Sequence, residues 1–264
     1  LYETIYALSK NNKILIVTNT DNQSYSFERL YIKNVNISRS INPFKDLKAS
    51  FKLMLQLKSL KPDFIISSSP KGGLITTLSN FFFRIPRVHI LTGILWSDQN
   101  SIKLKKITKF IDYINFKFSK KVYIDSKSQI DFLINHNFPK NKISLISKGS
   151  IKGVDLNKFK LEKIKKKIKK SKFNLSENTL IILFLGRISP EKGIYTYLST
   201  IREIVDQGYD IRGFIVGRDE KNILKNYRKK NLDFDKYFKY FGYTNKPEFF
   251  LKLSDLVLIP SSRE

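Results

Sequence analysis

Short apolar runs alternate with longer stretches of helical periodicity along most of the chain. The runs are rich in Ile, Leu, Val and Phe and lack strict polar alternation, which is typical of strands covered on both faces. They predict strands at residues 13–18, 63–68, 87–92, 121–125, 143–147, 180–185, 212–216, 237–241 and 255–259. The periodicity between them predicts helices at residues 47–60, 73–83 and 194–207. Alternating strands and helices favour parallel α/β sheets.

A lysine-rich stretch interrupts this series. Residues 160–172 carry eight lysines and one glutamate, and we interpret them as a solvated helix face rather than a membrane-surface patch. The sequence therefore predicts two Rossmann-like domains, residues 1–157 and 158–264, facing a cleft. Ligands of such sheets bind at the carboxyl ends of the strands.

Both ends of the chain begin or stop within a predicted element. Leu1 is not a methionine, residues 1–10 have the pattern of a helix already under way, and the last strand is followed by only a few residues up to Glu264. We therefore expect that the first strand of the N-terminal domain and the last part of the C-terminal domain are missing.

Composition narrows the classes of function. The chain has no cysteine and only two histidines, which excludes disulfides and thiol catalysis and argues against a histidine-built metal site. The net charge of +26 indicates polyanionic partners, such as nucleic acid, anionic lipid or phosphorylated substrates, unless it reflects an AT-rich genome. No apolar run approaches the ~18–20 residues that span a bilayer.

The loop after the predicted strand 180–185 has the features of a phosphate site. Its sequence, Gly-Arg-Ile-Ser-Pro-Glu-Lys-Gly from Gly186 to Gly193, leads directly into a helix. We predict Ser189 as the helix N-cap with Pro190 at the first helical position. Exposed N–H groups and the helix dipole favour an anion there, and Arg187 and Lys192 add two cations. A departing diphosphate fits this arrangement, although an ordinary strand-to-helix turn with basic surface residues has the same spacing.

This loop resembles the donor-diphosphate motif of glycosyltransferase family 4, a retaining family with the GT-B fold. Three later segments are similar to that family in the same order: the strand-to-glycine turn ending at Gly217, the nucleobase loop 241–244, and residues 254–264, which resemble the approach to a Glu-x7-Glu motif. Upstream, residues 69–74, 126–129 and 148–155 resemble its N-domain loops and interdomain connection. Thr92-Gly93-x-x-Trp96 resembles a variant of its polysaccharide-assembly branch.

The resemblance implies roles for individual residues. It implies donor contacts for Gly186, Arg187, Lys192, Gly217, Gly242, Tyr243, Thr244 and Glu264. It implies acceptor-side contacts for Lys71, Gly72, Thr92 and Gly93, and involvement in catalysis for Glu264 and Thr92. It also implies that no metal or other cofactor is required.

The chain departs from the family pattern at three points. Many members have a histidine where Thr92 stands, and a threonine hydroxyl can bind a sugar but does not act as a base near neutral pH. His89, three residues earlier, is interpreted as a core or strand-face residue rather than a catalytic one. The family's N-terminal glycine-rich loop and second glutamate are absent from the sequence.

Two other patterns have alternative interpretations. Asp233-x-Asp235 imitates a metal-binding motif, but it lies in a polar stretch before a strand and is interpreted as a coincidence. The predicted helix 102–118 has an apolar stripe of Ile107, Phe110, Ile111, Ile114 and Phe118 with lysines elsewhere. We favour docking of this stripe on the helix's own sheet, with contact to anionic lipid as the alternative.

The sequence thus predicts a hexosyl- or N-acetylhexosaminyl-type glycosyltransferase that uses a nucleotide sugar and a glycan or lipid-linked acceptor. We expect it in the cytoplasm, with a peripheral position on the inner face of the membrane left open. The alternatives are a GT-B-fold nucleotide-sugar epimerase and a non-catalytic, basic polyanion-binding fragment. Nucleic acid is not expected as a partner, because no recognition motif accompanies the charge.

Overall fold

The computed structural model describes residues 2–18, 30–35, 37, 42–96, 101–149, 153–159 and 170–262. The chain forms two compact units, Leu1–Gly153 and Val154–Glu264. The domain boundary drawn from the sequence, between residues 157 and 158, falls in the turns of residues 153–159. Most of the lysine-rich stretch 160–172 lies outside the described residues.

The first unit contains a four-stranded and a two-stranded parallel sheet. The four-stranded sheet has the order β3-β4-β5-β6, and β1 pairs with β2. In chain order the elements are α1 Tyr2–Ser9, β1 Ile14–Thr18, β2 Leu30–Asn34, α2 Pro43–Leu60, β3 Ile65–Ser68, α3 Pro70–Ser79, β4 Arg87–Leu91, α4 Ile102–Lys117, β5 Lys121–Ile124, α5 Lys127–Asn135 and β6 Ile143–Leu145. Strand β2 was not predicted, because three apolar residues in a polar context give too weak a local signal.

Helix α3 begins earlier than its periodicity predicts. Ser69 is its N-cap, since the Ser69 hydroxyl accepts a hydrogen bond from the Gly72 amide at 3.2 Å, and Pro70 occupies the first helical position. Gly73 lets α3 approach α4 closely, because a Cβ there would lie 2.4 Å from Asn115 Oδ1. The segment 69–74 is therefore a helix start rather than a loop.

The second unit is a parallel sheet with helices on both faces. Its strand order is β10-β7-β8-β9. The elements are β7 Leu180–Leu185, α6 Ile194–Asp206, β8 Ile211–Val216, α7 Ile223–Lys230, α8 Phe234–Tyr237, β9 Phe238–Tyr240, α9 Pro247–Leu253 and β10 Leu256–Val257. Ile182 and Phe184 of β7 join a core with α6, whereas Ile181 and Leu183 join a second core with Leu253. Burial on both faces explains why the strands lack polar alternation, and the predicted parallel α/β architecture is confirmed.

Helix α4 corrects the prediction about its apolar stripe. The buried residues of α4 are Thr108, Asp112, Asn115 and Phe116, not the predicted stripe. The helix is held by polar contacts: the Trp96 indole donates to Asp112 Oδ2 at 2.9 Å, and the Asn115 side chain donates to the Pro70 carbonyl at 3.0 Å. Phe116 and three polar residues form the docking face, and Phe110 and Phe118 of the stripe stay exposed.

Within the described residues, the helices are too short or too polar to cross a lipid bilayer.

Candidate donor-binding site

The loops that follow β7, β8 and β9 meet at the carboxyl edge of the second sheet. The Gly186 amide donates to the Val216 carbonyl at 3.0 Å, and the Gly217 amide donates to the Gly242 carbonyl at 2.8 Å. The Ile188 amide donates to the Arg218 carbonyl at 2.9 Å. Predicted donor residues from three separate loops are thereby brought to one edge, where parallel α/β sheets bind ligands.

Two glycines in these loops are required by close backbone approach. Gly217 has φ 155°, and a Cβ there would lie 1.6 Å from the Gly186 carbonyl oxygen. Gly193 has φ 73°, and a Cβ there would lie 2.0 Å from the Pro260 carbonyl oxygen. The loop after β10 is tied in further, since the Ser262 amide donates to the Glu191 carbonyl at 3.0 Å. Larger residues at these positions would push the loops apart.

The predicted helix start is partly wrong. Ser189 precedes a separate 3-10 turn, Pro190–Lys192, and its hydroxyl makes no capping hydrogen bond to that turn's backbone. Helix α6 begins one turn later, at Ile194, with left-handed Gly193 as its N-cap. The left-handed glycine ends the 3-10 turn and redirects the chain into α6. The sequence pattern around Ser189 does not distinguish this arrangement from one continuous helix.

Charged side chains surround this turn. Arg187 is exposed and follows Gly186 at the end of β7, and Lys192 is half-buried at the end of the 3-10 turn. A backbone hydrogen bond lowers the pKa of the Glu191 carboxyl, and the charges of Lys221 and Arg187 contribute to this shift. The start of α6 thus lies among basic groups, as an anion site requires.

Sequence reasoning missed Arg218. Its guanidinium lies over the Tyr243 ring, 4.4 Å from the centroid, and the Tyr243 side chain is 60% exposed. The two planar groups form a cation–π pair at the end of β8 and β9. A signal was available, because the dipeptide Gly-Arg occurs at the ends of both β7 and β8, as Gly186-Arg187 and Gly217-Arg218.

Thr244 and Glu264 are the remaining predicted donor residues. Thr244 Oγ1 accepts a hydrogen bond from the Lys246 amide at 3.0 Å, so its hydroxyl shapes the loop and can still donate to a ligand. Glu264, predicted to contact donor and to take part in catalysis, lies outside the described residues.

The predicted acceptor-side residues lie at the ends of two neighbouring strands of the first unit. Lys71 and Gly72 are in the first turn of α3, after β3, while Thr92 and Gly93 follow β4. Lys71 forms an ion pair with Asp46 at 2.8 Å, and its side chain is mostly buried. Thr92 is exposed.

The interpretation of His89 as a core residue is confirmed. Its side chain is fully buried, and its Nδ1 lies 2.9 Å from the Ser67 hydroxyl. Burial lowers the pKa of His89 to about 3, with a smaller contribution from the charge of Arg87. A neutral, enclosed imidazole does not reach a substrate.

Asp233 and Asp235 lie away from the strand-end loops. They precede β9, whereas Gly242 follows it. Arg202 binds Asp233 at 2.8 Å, and Arg228 pairs with Asp235. Both carboxylates therefore form ion pairs with arginines of the second unit.

Comparisons with known proteins match this architecture. Residues 165–264 match the model of the family described as Glycosyl transferases group 1. The chain is 27% identical over 214 residues to the capsular polysaccharide biosynthesis glycosyltransferase CapM of Staphylococcus aureus, covering 79% of this chain and 54% of that protein. It is 25% identical over 230 residues to the UDP-Gal:alpha-D-GlcNAc-diphosphoundecaprenol alpha-1,3-galactosyltransferase of Escherichia coli, covering 85% and 58%.

A solved structure extends the likeness in fold to nearly the whole chain. The crystal structure of Anabaena HepE in complex with UDP and glucose aligns with a TM-score of 0.72 at 14% identity, covering 97% of this chain and 69% of that one. The chain spans a little over half the length of the two curated relatives. Residues 165–264 are therefore similar to the family Glycosyl transferases group 1, the chain is similar to curated polysaccharide glycosyltransferases, and it has the GT-B fold.

Proposed function

We propose that the protein is a glycosyltransferase of polysaccharide or lipid-linked glycan biosynthesis, moving a hexosyl or N-acetylhexosaminyl group from a nucleotide-diphosphate sugar. The observation that carries the proposal is the loop edge of the second unit, where Gly193 packs on Pro260 beside Arg187 and Lys192. These residues lie within the segment that matches the family. The names of the curated relatives, one acting on a diphosphoundecaprenol-linked sugar, support a lipid-linked acceptor and a cytoplasmic membrane surface as the place of transfer.

In this proposal the donor diphosphate binds at the start of α6. Negative charge grows on the diphosphate as the bond to the sugar breaks, and Arg187, Lys192 and the N–H groups of the helix start stabilise it. Gly193 lets the loop after β10 pack against this helix start, because a Cβ there would meet the Pro260 carbonyl oxygen. The chemistry needs no metal, since fixed cations take the role that a metal plays elsewhere.

The nucleobase and the acceptor are assigned to other loops. The exposed face of Tyr243, backed by Arg218, offers a stacking surface for the base. Thr92 and Gly93 contact the acceptor, and Lys71, held by Asp46, orients this region together with Gly72. Glu264 is proposed to position the donor sugar, and retention of the anomeric configuration follows from the family resemblance.

Substitution of the two cations tests the donor site. In the complete protein that contains this chain, Arg187→Ala and Lys192→Ala should each lower transfer by about 10²-fold or more, because each removes a positive charge from the departing diphosphate. Donors are first chosen from a thermal-shift panel of nucleotide sugars that begins with UDP sugars. Transfer is followed by product analysis, and the anomeric configuration is read by NMR.

Lys229→Ala is the matched control, since Lys229 is exposed on α7, and all variants should melt near the wild-type temperature. Wild-type turnover in both loop variants would contradict the donor-site assignment. Incubation with donor alone separates a transferase from an epimerase, because only the epimerase changes the donor sugar without an acceptor.

A further inference from the structure

Helix α4 contacts both loops that carry the predicted acceptor-side residues. Asn115 of α4 donates from Nδ2 to the Pro70 carbonyl in the first turn of α3, at 3.0 Å. Asp112, one turn earlier on α4, accepts through Oδ2 from the Trp96 indole in the loop after β4, at 2.9 Å. Both side chains are fully buried. Because residues three apart are neighbours on a helix surface, a single face of α4 reaches the loops after β3 and β4.

The contact with α3 supports a strained backbone. Ser69, the N-cap of α3, has φ 64° and ψ 150°, a conformation that residues other than glycine rarely adopt. Such a conformation persists where the surrounding structure fixes it. Asn115 supplies part of this support, because it binds the carbonyl of the next residue, Pro70. Lys71 and Gly72 follow Pro70 directly, so their position depends on the same contact.

The contact with the loop after β4 fixes a packed aromatic ring. Trp96 is 5% exposed, and its ring centroid lies 5.0 Å from that of Phe132 and 5.7 Å from that of Phe138, on which it stacks. Asp112 binds the indole N–H, the one polar group of this side chain. Packing and this hydrogen bond together hold the far end of the short segment that starts at Thr92.

Stability alone does not explain two polar residues at this interface. Asp112 Oδ1 and Asn115 Oδ1 are buried, and neither accepts a hydrogen bond within the part of the chain that the structure describes. Burying a polar atom without a partner is unfavourable, so apolar side chains would attach α4 at a lower cost. The polar pair adds direction instead, because a hydrogen bond constrains both the distance and the angle between its groups.

We propose that Asp112 and Asn115 are positioning residues for sugar transfer, which hold the loops after β3 and β4 at a fixed separation so that both contact one acceptor. Since both side chains are buried, each acts through the loop that it binds. This role rests on the proposed function, which assigns Lys71, Thr92 and Gly93 to the acceptor side.

Hydrogen exchange of the complete protein without substrates tests whether α4 holds the loops. Asn115→Ala should raise exchange of the amides of residues 72–74 by about tenfold, because it removes the hydrogen bond to Pro70. Asp112→Leu should do the same for the amides of residues 93–96, and each variant should leave the other segment unchanged. Thr108→Val is the matched control on α4, since Thr108 is buried and donates to the Leu104 carbonyl of the same helix at 2.8 Å. It should leave both segments unchanged.

Steady-state kinetics test the consequence for transfer. The substrates are UDP-galactose and GlcNAc-diphosphoundecaprenol, as in the name of the Escherichia coli relative. Asn115→Ala and Asp112→Leu should each lower kcat/KM for the acceptor by about tenfold or more. The KM of the donor should stay near the wild-type value, because the proposed donor loops belong to the other unit. Asp112→Asn still offers an oxygen to Trp96 and should restore the acceptor kinetics, and Thr108→Val should behave as wild type.

Three results would overturn the positioning role: unchanged exchange in both segments, equal losses for donor and acceptor, or the same losses in Thr108→Val. The last two would show a general effect on stability. If the wild type transfers sugar to no acceptor while exchange responds as expected, the proposed function fails, and the role of α4 in holding the two loops stands.

Discussion

Gly193 is the residue on which the shape of the loop between β7 and α6 depends. It combines a left-handed backbone with a contact so close that a Cβ would lie 2.0 Å from the Pro260 carbonyl oxygen. Gly208, after α6, is also left-handed, at φ 94°, but no atom lies within 4 Å of where its Cβ would be. Comparing Gly193 with Gly208 therefore separates the cost of a left-handed backbone from the cost of a steric clash.

Gly193→Ala should therefore destabilise the second unit more than Gly208→Ala. Both substitutions place alanine in the left-handed region, at about 1–2 kcal/mol each, but only Gly193→Ala also forces the Pro260 loop to move, adding about 1–3 kcal/mol. Urea unfolding of both variants measures the difference. Equal free energies of unfolding would show that the Pro260 contact relaxes without strain.

Arg218 was not predicted, although the sequence contains a local signal for it. Its position after a strand-end glycine repeats that of Arg187, yet its neighbour Tyr243 is 25 residues away in the sequence (243 − 218). The repeated dipeptide marks a basic residue at a strand end. The cation–π pair depends on β8 and β9 being adjacent.

At the scale of elements, a buried hydrogen bond links α4 to the loop after β4. Asp112 Oδ2 accepts from the Trp96 indole at 2.9 Å, and Asp112 Oδ1 has no hydrogen-bond partner among the described residues. Burial raises the pKa of Asp112 to about 7, and the Trp96 hydrogen bond only partly opposes this shift. The loop that carries Thr92 and Gly93 is therefore anchored to a carboxyl group whose raised pKa favours its neutral form.

The sign of the pH effect follows from the raised pKa. Asp112 is neutral in both states below about pH 4. Between about pH 4 and pH 7 the unfolded chain loses this proton first, so the carboxyl increasingly favours unfolding as the pH rises.

Asp112→Asn should remove that pH dependence. The asparagine oxygen still accepts from Trp96 and carries no charge, so the variant should gain stability over wild type as pH rises from about 4 to 7. The gain should level off above pH 7, at up to about 4 kcal/mol. Denaturant unfolding across this range measures it, with Asp131→Asn, at an exposed position of α5, as control. A difference that is constant with pH would contradict the role of the Asp112 charge.

At the scale of the whole molecule, the proposed donor loops belong to one unit and the proposed acceptor-side residues to the other. Hydrogen exchange with saturating UDP should therefore protect amides of residues 186–194, 217–219 and 242–244 most strongly. Residues 233–237, which contain Asp233 and Asp235 at the opposite end of β9, should exchange as in the free protein. Protection centred on residues 233–237 would indicate that the Asp-x-Asp pattern binds the nucleotide instead.

The sequence by itself determined the parallel α/β architecture and the strand-end positions of Gly186, Gly217 and Gly242. Strands buried on both faces need continuous apolar runs, and these runs are visible in any short window. The order of glycine and basic residues after the strands was likewise local information.

Only the tertiary structure decided which face of α4 docks, where α6 begins and which side chains meet. A helical period shows that one face is apolar, but α4 docks with hydrogen bonds from Trp96 and Asn115 and leaves Ile107, Phe110 and Phe118 of its apolar stripe exposed. The left-handed turn at Gly193 depends on Pro260, 67 residues later (260 − 193). Such contacts join residues distant in sequence, and packing of the finished sheet is what brings them together.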